Sequence, residues 1–142
     1  MRIIDLNVLL YAVNSGSPHH TEIRSWWEAV LSDDDTVALP WIVLTGFLRV
    51  ATNPRIFPRP LDPKAAIGRV DAWLALDNVR VVREKDNHWS TLRGLVAGAG
   101  TAGNLVTDAH LAALAISHDA TLSSCDADFG RFKGLRWENP LS

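Results

Sequence analysis

Asp5 stands directly after the apolar pair Ile3-Ile4, and Asp126 follows Leu122-Ser123-Ser124-Cys125. Asp108 sits in Val106–His118, a stretch otherwise made mostly of alanine, leucine and isoleucine, and Asp128 lies two residues past Asp126. An ionised carboxylate in apolar surroundings is costly unless it is paired or coordinated. No lysine or arginine is near Asp108 in the sequence; Arg2 is three residues from Asp5, a spacing that puts the two on opposite faces of a strand. Arg131 is within reach of Asp126 or Asp128. Each aspartate also has a plainer use. Asp108 suits the positive end of a helix, Asp126 suits a cap on the turn into Ala127–Arg131, and Asp5 suits a cap on the helix that begins near Asn7. Taken together, three or four aspartates on one rim make a hard-oxygen cluster suited to Mg²⁺ or Mn²⁺. Such ions keep several waters, bind phosphate and activate water, so the sum points to metal-dependent phosphoryl chemistry.

The elements that would position these carboxylates alternate between strand-like and helix-like. Strands are expected at Arg2–Ile4, Thr36–Leu39, Val79–Val82, Thr121–Ser123 and Leu135–Trp137. Ser17-Pro18 and Asp62-Pro63 pair a cap with proline at the first helical position, opening helices to about Leu31 and Leu76. The second of these has Ala66, Ile67, Val70 and Leu74 as its apolar surface. Trp41–Ala51 has Val43, Phe47 and Val50 on one face. Asp86 is the expected cap of a helix from Asn87 to about Ala97, ended by Gly98 and Gly100. Val106–His118 follows. Short strands separated by helices predict crossover units and a mostly parallel sheet covered on both faces, a three-layer α/β/α sandwich. Its sites lie outside the carboxyl ends of the strands. The span 1–142 reads as one domain, without repeats or linkers. Asn53–Pro60, with three prolines, is an irregular excursion, and Asp33-Asp34-Asp35 is a solvated loop.

Composition narrows the classes further. Cys125 is the only cysteine, which excludes an internal disulfide and any multi-cysteine metal site and suits a reducing cytoplasm. No apolar run approaches the roughly 18 residues that a membrane span needs, and no secretory leader is evident. A formal net charge of −2 argues against a generally basic nucleic-acid coat. The five histidines are not spaced as a zinc site: His19-His20 are expected to be exposed, and His110 and His118 to lie on a helix surface. The six tryptophans are expected mostly in core or interface.

Asp5-Leu6-Asn7-Val8-Leu9-Leu10 resembles the opening motif of PIN-domain nucleases, D-x-N-V-L-L. Thr107-Asp108-Ala109-His110-Leu111-Ala112-Ala113-Leu114-Ala115 is similar to that family's D-A-x-L-A-A-x-A helix, and Leu122–Phe129 to its closing L-x-[ST]-x-D-x-D-F. The order and spacing match over essentially the whole chain, whose size resembles the VapC toxins of bacterial type II toxin–antitoxin pairs. The stretch Pro40–Val50 with Thr52-Asn53-Pro54 further resembles an actinobacterial subgroup. The resemblance implies a PIN-like fold and a cytoplasmic, Mg²⁺- or Mn²⁺-dependent endoribonuclease that cleaves structured RNA such as tRNA or rRNA. It implies a homodimer and a VapB-like antitoxin that neutralises it. By position, Asp5 and Asp108 would be direct metal ligands and Asp126 would complete the catalytic acidic pocket, with Asp128 as a further carboxylate. Asn7 and Ser124 match polar positions that orient ligands and water. Arg49, Arg55 and Arg59 are candidate RNA or antitoxin contacts.

One departure concerns Gly46, which occupies the family's usual second acidic position, and no Asp or Glu occurs from Thr36 to Leu61. Either the aspartates suffice, with Asp128 or Asn104 compensating, or the chain is a weakened PIN module that binds RNA or antitoxin without efficient cleavage. A haloacid-dehalogenase-type phosphatase also begins with an aspartate after its first strand, but it needs a second aspartate where Asn7 stands.

Overall fold

The computed structural model describes residues 1–100 and 103–142. Five strands are formed by β1 (Arg2–Ile4), β2 (Val37–Pro40), β3 (Val79–Val82), β4 (Thr121–Ser123) and β5 (Arg136–Glu138). Six helices accompany them: α1 (Leu6–Val13), α2 (His20–Leu31), α3 (Trp41–Ala51), α4 (Pro63–Leu74), α5 (His88–Ala99) and α6 (Leu105–Ser117). A short 3-10 helix spans Ala127–Arg131. The sheet order is β3-β2-β1-β4-β5 and every pairing is parallel. β1 is therefore central, with Ile3 level with Ala38 on one side and Leu122 on the other.

Parallel neighbours require crossovers, and crossovers are right-handed. The chain moves one way along the sheet from β1 to β3 and then jumps back to β4. Helices α1–α4 are accordingly on one face and α5–α6 on the other. The packing agrees: α1 touches α2 and α3, α3 touches α4, and α5 packs on α6. The central strands are buried on both sides, which explains their unbroken apolar runs; Ile3, Ile4, Leu39 and Leu122 are fully enclosed. Phe47 of α3 meets Trp73 of α4 edge-on at 5.0 Å, and Trp73 meets Trp27 of α2 at 5.8 Å.

Several local expectations are corrected. Ser17 does not cap α2 directly. Its Oγ accepts from the His19 N–H at 3.1 Å in a turn, and the helix starts at His20. Asp86 does not cap α5, which starts after Asn87 without a side-chain cap. Gly98 does not end α5, which continues to Ala99 and stops at Gly100 in the left-handed region (φ 72°). By contrast Asp62 does cap α4, accepting from the Ala65 N–H at 2.7 Å. β2 and β5 are each shifted one residue towards the C-terminus. Ile67, Trp41 and Trp89 are exposed rather than packed, because periodicity marks an apolar face without saying whether a neighbour covers it. Asp35 leaves the solvated loop to pair with the Met1 amino group at 3.1 Å and with Arg2 at 3.4 Å.

The histidines also differ from expectation. His19 and His20 are half-buried, and the His20 ring bonds the Tyr11 carbonyl at 2.9 Å. His110 shares a 2.9 Å hydrogen bond with His88 and lies 3.4 Å from Glu84. His118 donates to the Arg83 carbonyl at 2.7 Å.

Candidate active site

Asp5 leaves the end of β1 in extended geometry and becomes the N-cap of α1. Its Oδ1 accepts from the Leu6 N–H at 2.7 Å. Oδ2 accepts from the Ser124 hydroxyl at 2.7 Å and from the Asn7 amide at 3.3 Å. The plain capping role and a site role thus coexist in one residue. Burial pushes the Asp5 carboxyl above the usual carboxylate range; the Ser124 and Leu6 bonds pull it down, and the Asp126 charge adds to the rise.

Ser124, fully buried just past β4, organises the other side. Its Oγ accepts from the Asp126 N–H at 3.0 Å while its hydroxyl is donated to Asp5. Asn7 bridges the same gap, its amide 3.2 Å from the Ser124 Oγ and its Oδ1 accepting from the Cys125 N–H at 3.1 Å. Asn7 and Ser124 therefore fix the spacing between the two chain segments that carry acids. Asp126 caps the 3-10 helix through the Asp128 N–H at 2.9 Å, which turns Asp128 back towards it.

Asp108 arrives from the opposite face, in the first turn of α6. Oxygens of Asp108, Asp126 and Asp128 come within 4.8 Å of one another, the tightest acidic group among the described residues. Asp5 adjoins this trio rather than joining it at that spacing. Burial raises the Asp108 carboxyl to about 6, the charges of Asp126, Asp5 and Asp128 push the same way, and Arg131 opposes them. Such crowding is unfavourable unless a cation or protons offset it. The donors are all carboxylate oxygens, and two of the three residues are half-buried while Asp128 is open to solvent. That donor set fits a hard divalent cation that retains waters.

The remaining candidates are spread more widely. Asn104 is exposed at the N-cap of α6 and its side chain caps nothing. Arg49, Arg55 and Arg59 are all exposed, and none forms an ion pair among the described residues. Arg59 lines a cleft of about 440 Å³ with Val13–Gly16 and Phe57. Position 46 has a packing explanation: a Cβ there would lie 3.0 Å from a Leu6 methyl, so Leu6 fills the space a larger side chain would need.

Two further neighbours bear on the site. Arg131, expected within reach of Asp126 or Asp128, pairs with Asp128 three residues before it at 3.5 Å, and its charge also reaches Asp108. Glu22 of α2, together with Asp5, adds to the effect of burial in raising the Cys125 thiol to about 11, leaving it unreactive at neutral pH.

Comparison with known proteins fits this geometry. The PIN domain family model matches residues 2–135. Ribonuclease VapC37 of Mycobacterium tuberculosis is 47% identical over 140 residues, covering 99% of this chain and 97% of that protein. VapC ribonuclease Mb2897 of Mycobacterium bovis is 41% identical over 141 residues, covering 99% and 96%. Among solved structures, a chain of VapBC2 from Rickettsia felis bound to a fragment of its promoter DNA superimposes with TM-score 0.70 at 21% identity, covering 97% of each chain. VapC20 of M. tuberculosis, described as a toxin that cleaves the sarcin-ricin loop, superimposes with TM-score 0.67 at 17% identity, covering 96% of this chain and 99% of that one.

Proposed function

The chain belongs to the PIN-domain family and, within it, to the VapC ribonucleases, and from that premise we propose that it is a metal-dependent endoribonuclease toxin of the cytoplasm, cleaving structured RNA and neutralised by a VapB-like antitoxin. The observation that carries this reading is the convergence of Asp108, Asp126 and Asp128 within 4.8 Å, beside Asp5, at the carboxyl rim of a parallel sheet. Asp108, Asp126 and Asp128 would hold Mg²⁺ or Mn²⁺, with Asp5 at the edge of the same pocket. A bound divalent cation supplies charge neutralisation at the phosphodiester and lowers the pKa of a water.

The protein's own groups do the rest. Ser124 and Asn7 hold the Asp5 carboxylate so that it presents one fixed edge to the pocket. Asp126 is anchored at both ends, its N–H donating to the Ser124 Oγ and its Oδ1 accepting from the Asp128 N–H. Asp108 retains a proton at higher pH than an ordinary carboxylate and is the group suited to exchanging one with solvent near neutrality. A similar carboxylate arrangement also suits capture of an antitoxin arginine, whose guanidinium forks onto paired oxygens. A homodimer is the assembly we propose, on the family resemblance.

The filled space at Gly46 supports a second reading, a module that binds RNA without efficient cleavage. One experiment separates the two. Purified protein is incubated with a stem-loop RNA across a Mn²⁺ and Mg²⁺ titration, alongside Asp108→Asn. Cleavage by the parent, abolished by EDTA and reduced at least a hundredfold in the variant, is the expected outcome. RNA that binds but stays intact at every metal concentration favours the module.

A further inference from the structure

Helix α5 carries Gly94 and Gly98 in its interior, one turn apart on the same side. Glycine weakens a helix relative to alanine, and packing among the described residues does not require it here. A Cβ at either position would meet nothing within 4 Å. Gly94 and Gly98 line one cleft with Arg131 and Lys133; it measures about 280 Å³ and is also lined by Leu95, Ala99 and Phe132. The volume is at the lower edge of that of a pocket for a whole small molecule, about 300–1,000 Å³.

The two cations face the cleft for a local reason. Phe132 is extended (φ −87°, ψ 114°) and buried against Phe129. On either side of it Arg131, the last residue of the 3-10 helix, and Lys133 are exposed. Lys133 has no salt-bridge partner among the described residues, and Arg131 has one, a half-exposed contact to Asp128 at 3.5 Å. An exposed pair of that geometry holds the guanidinium weakly and leaves most of its donors free. Arg131 also ends the 3-10 helix that begins just after Asp126, so the cleft opens beside the acidic trio. A polyanion approaching that trio on a chain of net charge −2 needs cations along its path.

We propose that Arg131 and Lys133, across the cleft floored by Gly94 and Gly98, hold a backbone phosphate of the RNA next to the one presented to the carboxylates. This inference rests on the ribonuclease reading. Arg131 and Lys133 act as positioning residues, setting which phosphate reaches the acids; the bare helix turns let the sugar-phosphate chain lie close to the α5 backbone.

The test measures binding of a fluorescein-labelled single-stranded RNA oligonucleotide by anisotropy in EDTA, across a NaCl series. Arg131→Gln/Lys133→Gln is expected to lose about tenfold in affinity at low salt. Its slope of log affinity against log salt should be shallower by about 0.7, the value for one phosphate neutralised on a single strand. Gly98→Leu, which keeps both cations but fills the cleft, should lose affinity by a similar factor while its circular dichroism and thermal unfolding remain those of a folded protein. In cleavage assays with Mn²⁺ both variants should raise KM far more than they lower kcat. An unchanged salt slope in the double variant, or parental binding by Gly98→Leu, overturns the proposal. A parent protein that neither binds nor cleaves RNA overturns the ribonuclease reading first and this inference with it.

Discussion

Asp108 shows how a single side chain reports its surroundings. Its carboxyl is raised from an ordinary 3.8 to about 6, so the folded metal-free protein holds a proton that the unfolded chain releases. Stability from this group is greatest below the unfolded value and is lost as pH rises through the window from 3.8 to about 6. Asp108→Asn removes the loss. A shift of that size on a shielded group would correspond to about 3 kcal/mol. Asp108 is only half-buried, and solvent screening reduces the expectation to about 1 kcal/mol. Urea unfolding in EDTA should find the variant more stable at pH 7 by that amount and equal to the parent at pH 4; equal stability at both would show that the trio does not repel. The aspartates themselves were legible, since a carboxylate directly after Ile3-Ile4 or within Val106–His118 is out of place in an apolar run. Of their neighbours, Asn7 and Ser124 were reached only through the family resemblance, and the histidine contact was not reached at all. Ser124 lies 119 positions from Asp5, and the His88–His110 bond joins residues 22 apart, separations across which no periodicity operates.

At the level of elements, α1 and α3 approach closely because position 46 has no side chain. Alanine in place of a mid-helix glycine normally stabilises by about 1 kcal/mol. Here the added Cβ would press on a Leu6 methyl at 3.0 Å, and overpacking costs about 1–3 kcal/mol. Gly46→Ala should therefore gain nothing in the parent, yet stabilise by about 1 kcal/mol once Leu6→Ala has cleared the space. Thermal unfolding of the four proteins in the cycle measures the coupling, and strictly additive effects would sink the idea. The order and type of the elements could be read from apolar periodicity and from caps such as Asp62-Pro63. Boundaries were less accessible where a turn precedes the helix, as at Ser17, whose Oγ accepts from the His19 N–H before α2 begins, or where a glycine such as Gly98 is read as a stop although the helix carries on to a better one. The exposure of Trp41 and Trp89 depends on which faces find neighbours, and that is decided by tertiary packing.

Across the whole molecule, the last strand supports the first. Trp137 in β5 donates from its indole N–H to the Ser124 carbonyl at 3.0 Å, and the Ser124 N–H donates to the Glu138 carbonyl at 3.1 Å. Glu138 in turn accepts from Arg2 at 2.8 Å and from Ser123 at 2.6 Å. Ser124 is thus gripped from behind while it holds Asp5. Trp137→Phe should cost about 1 kcal/mol of stability, the net value of one hydrogen bond. Cleavage should fall severalfold with little change in RNA affinity, although Trp137 touches no carboxylate; stability lost without any change in turnover would show that the grip does not reach Asp5. The placement of β1 at the centre of the sheet, bonded to β4 over residues 121–123, also has a meaning in time. A ribosome releases the N-terminal aspartate first, and at about 5–20 residues per second the 121 further residues to Asp126 take roughly 6–24 s. For most of that interval the growing chain carries one acid of the pocket, and Asp108 joins it only 18 residues before Asp126. A nuclease built this way is harmless while it is still being translated, and it becomes dangerous only when nearly complete, which leaves time for an antitoxin made alongside it to be waiting.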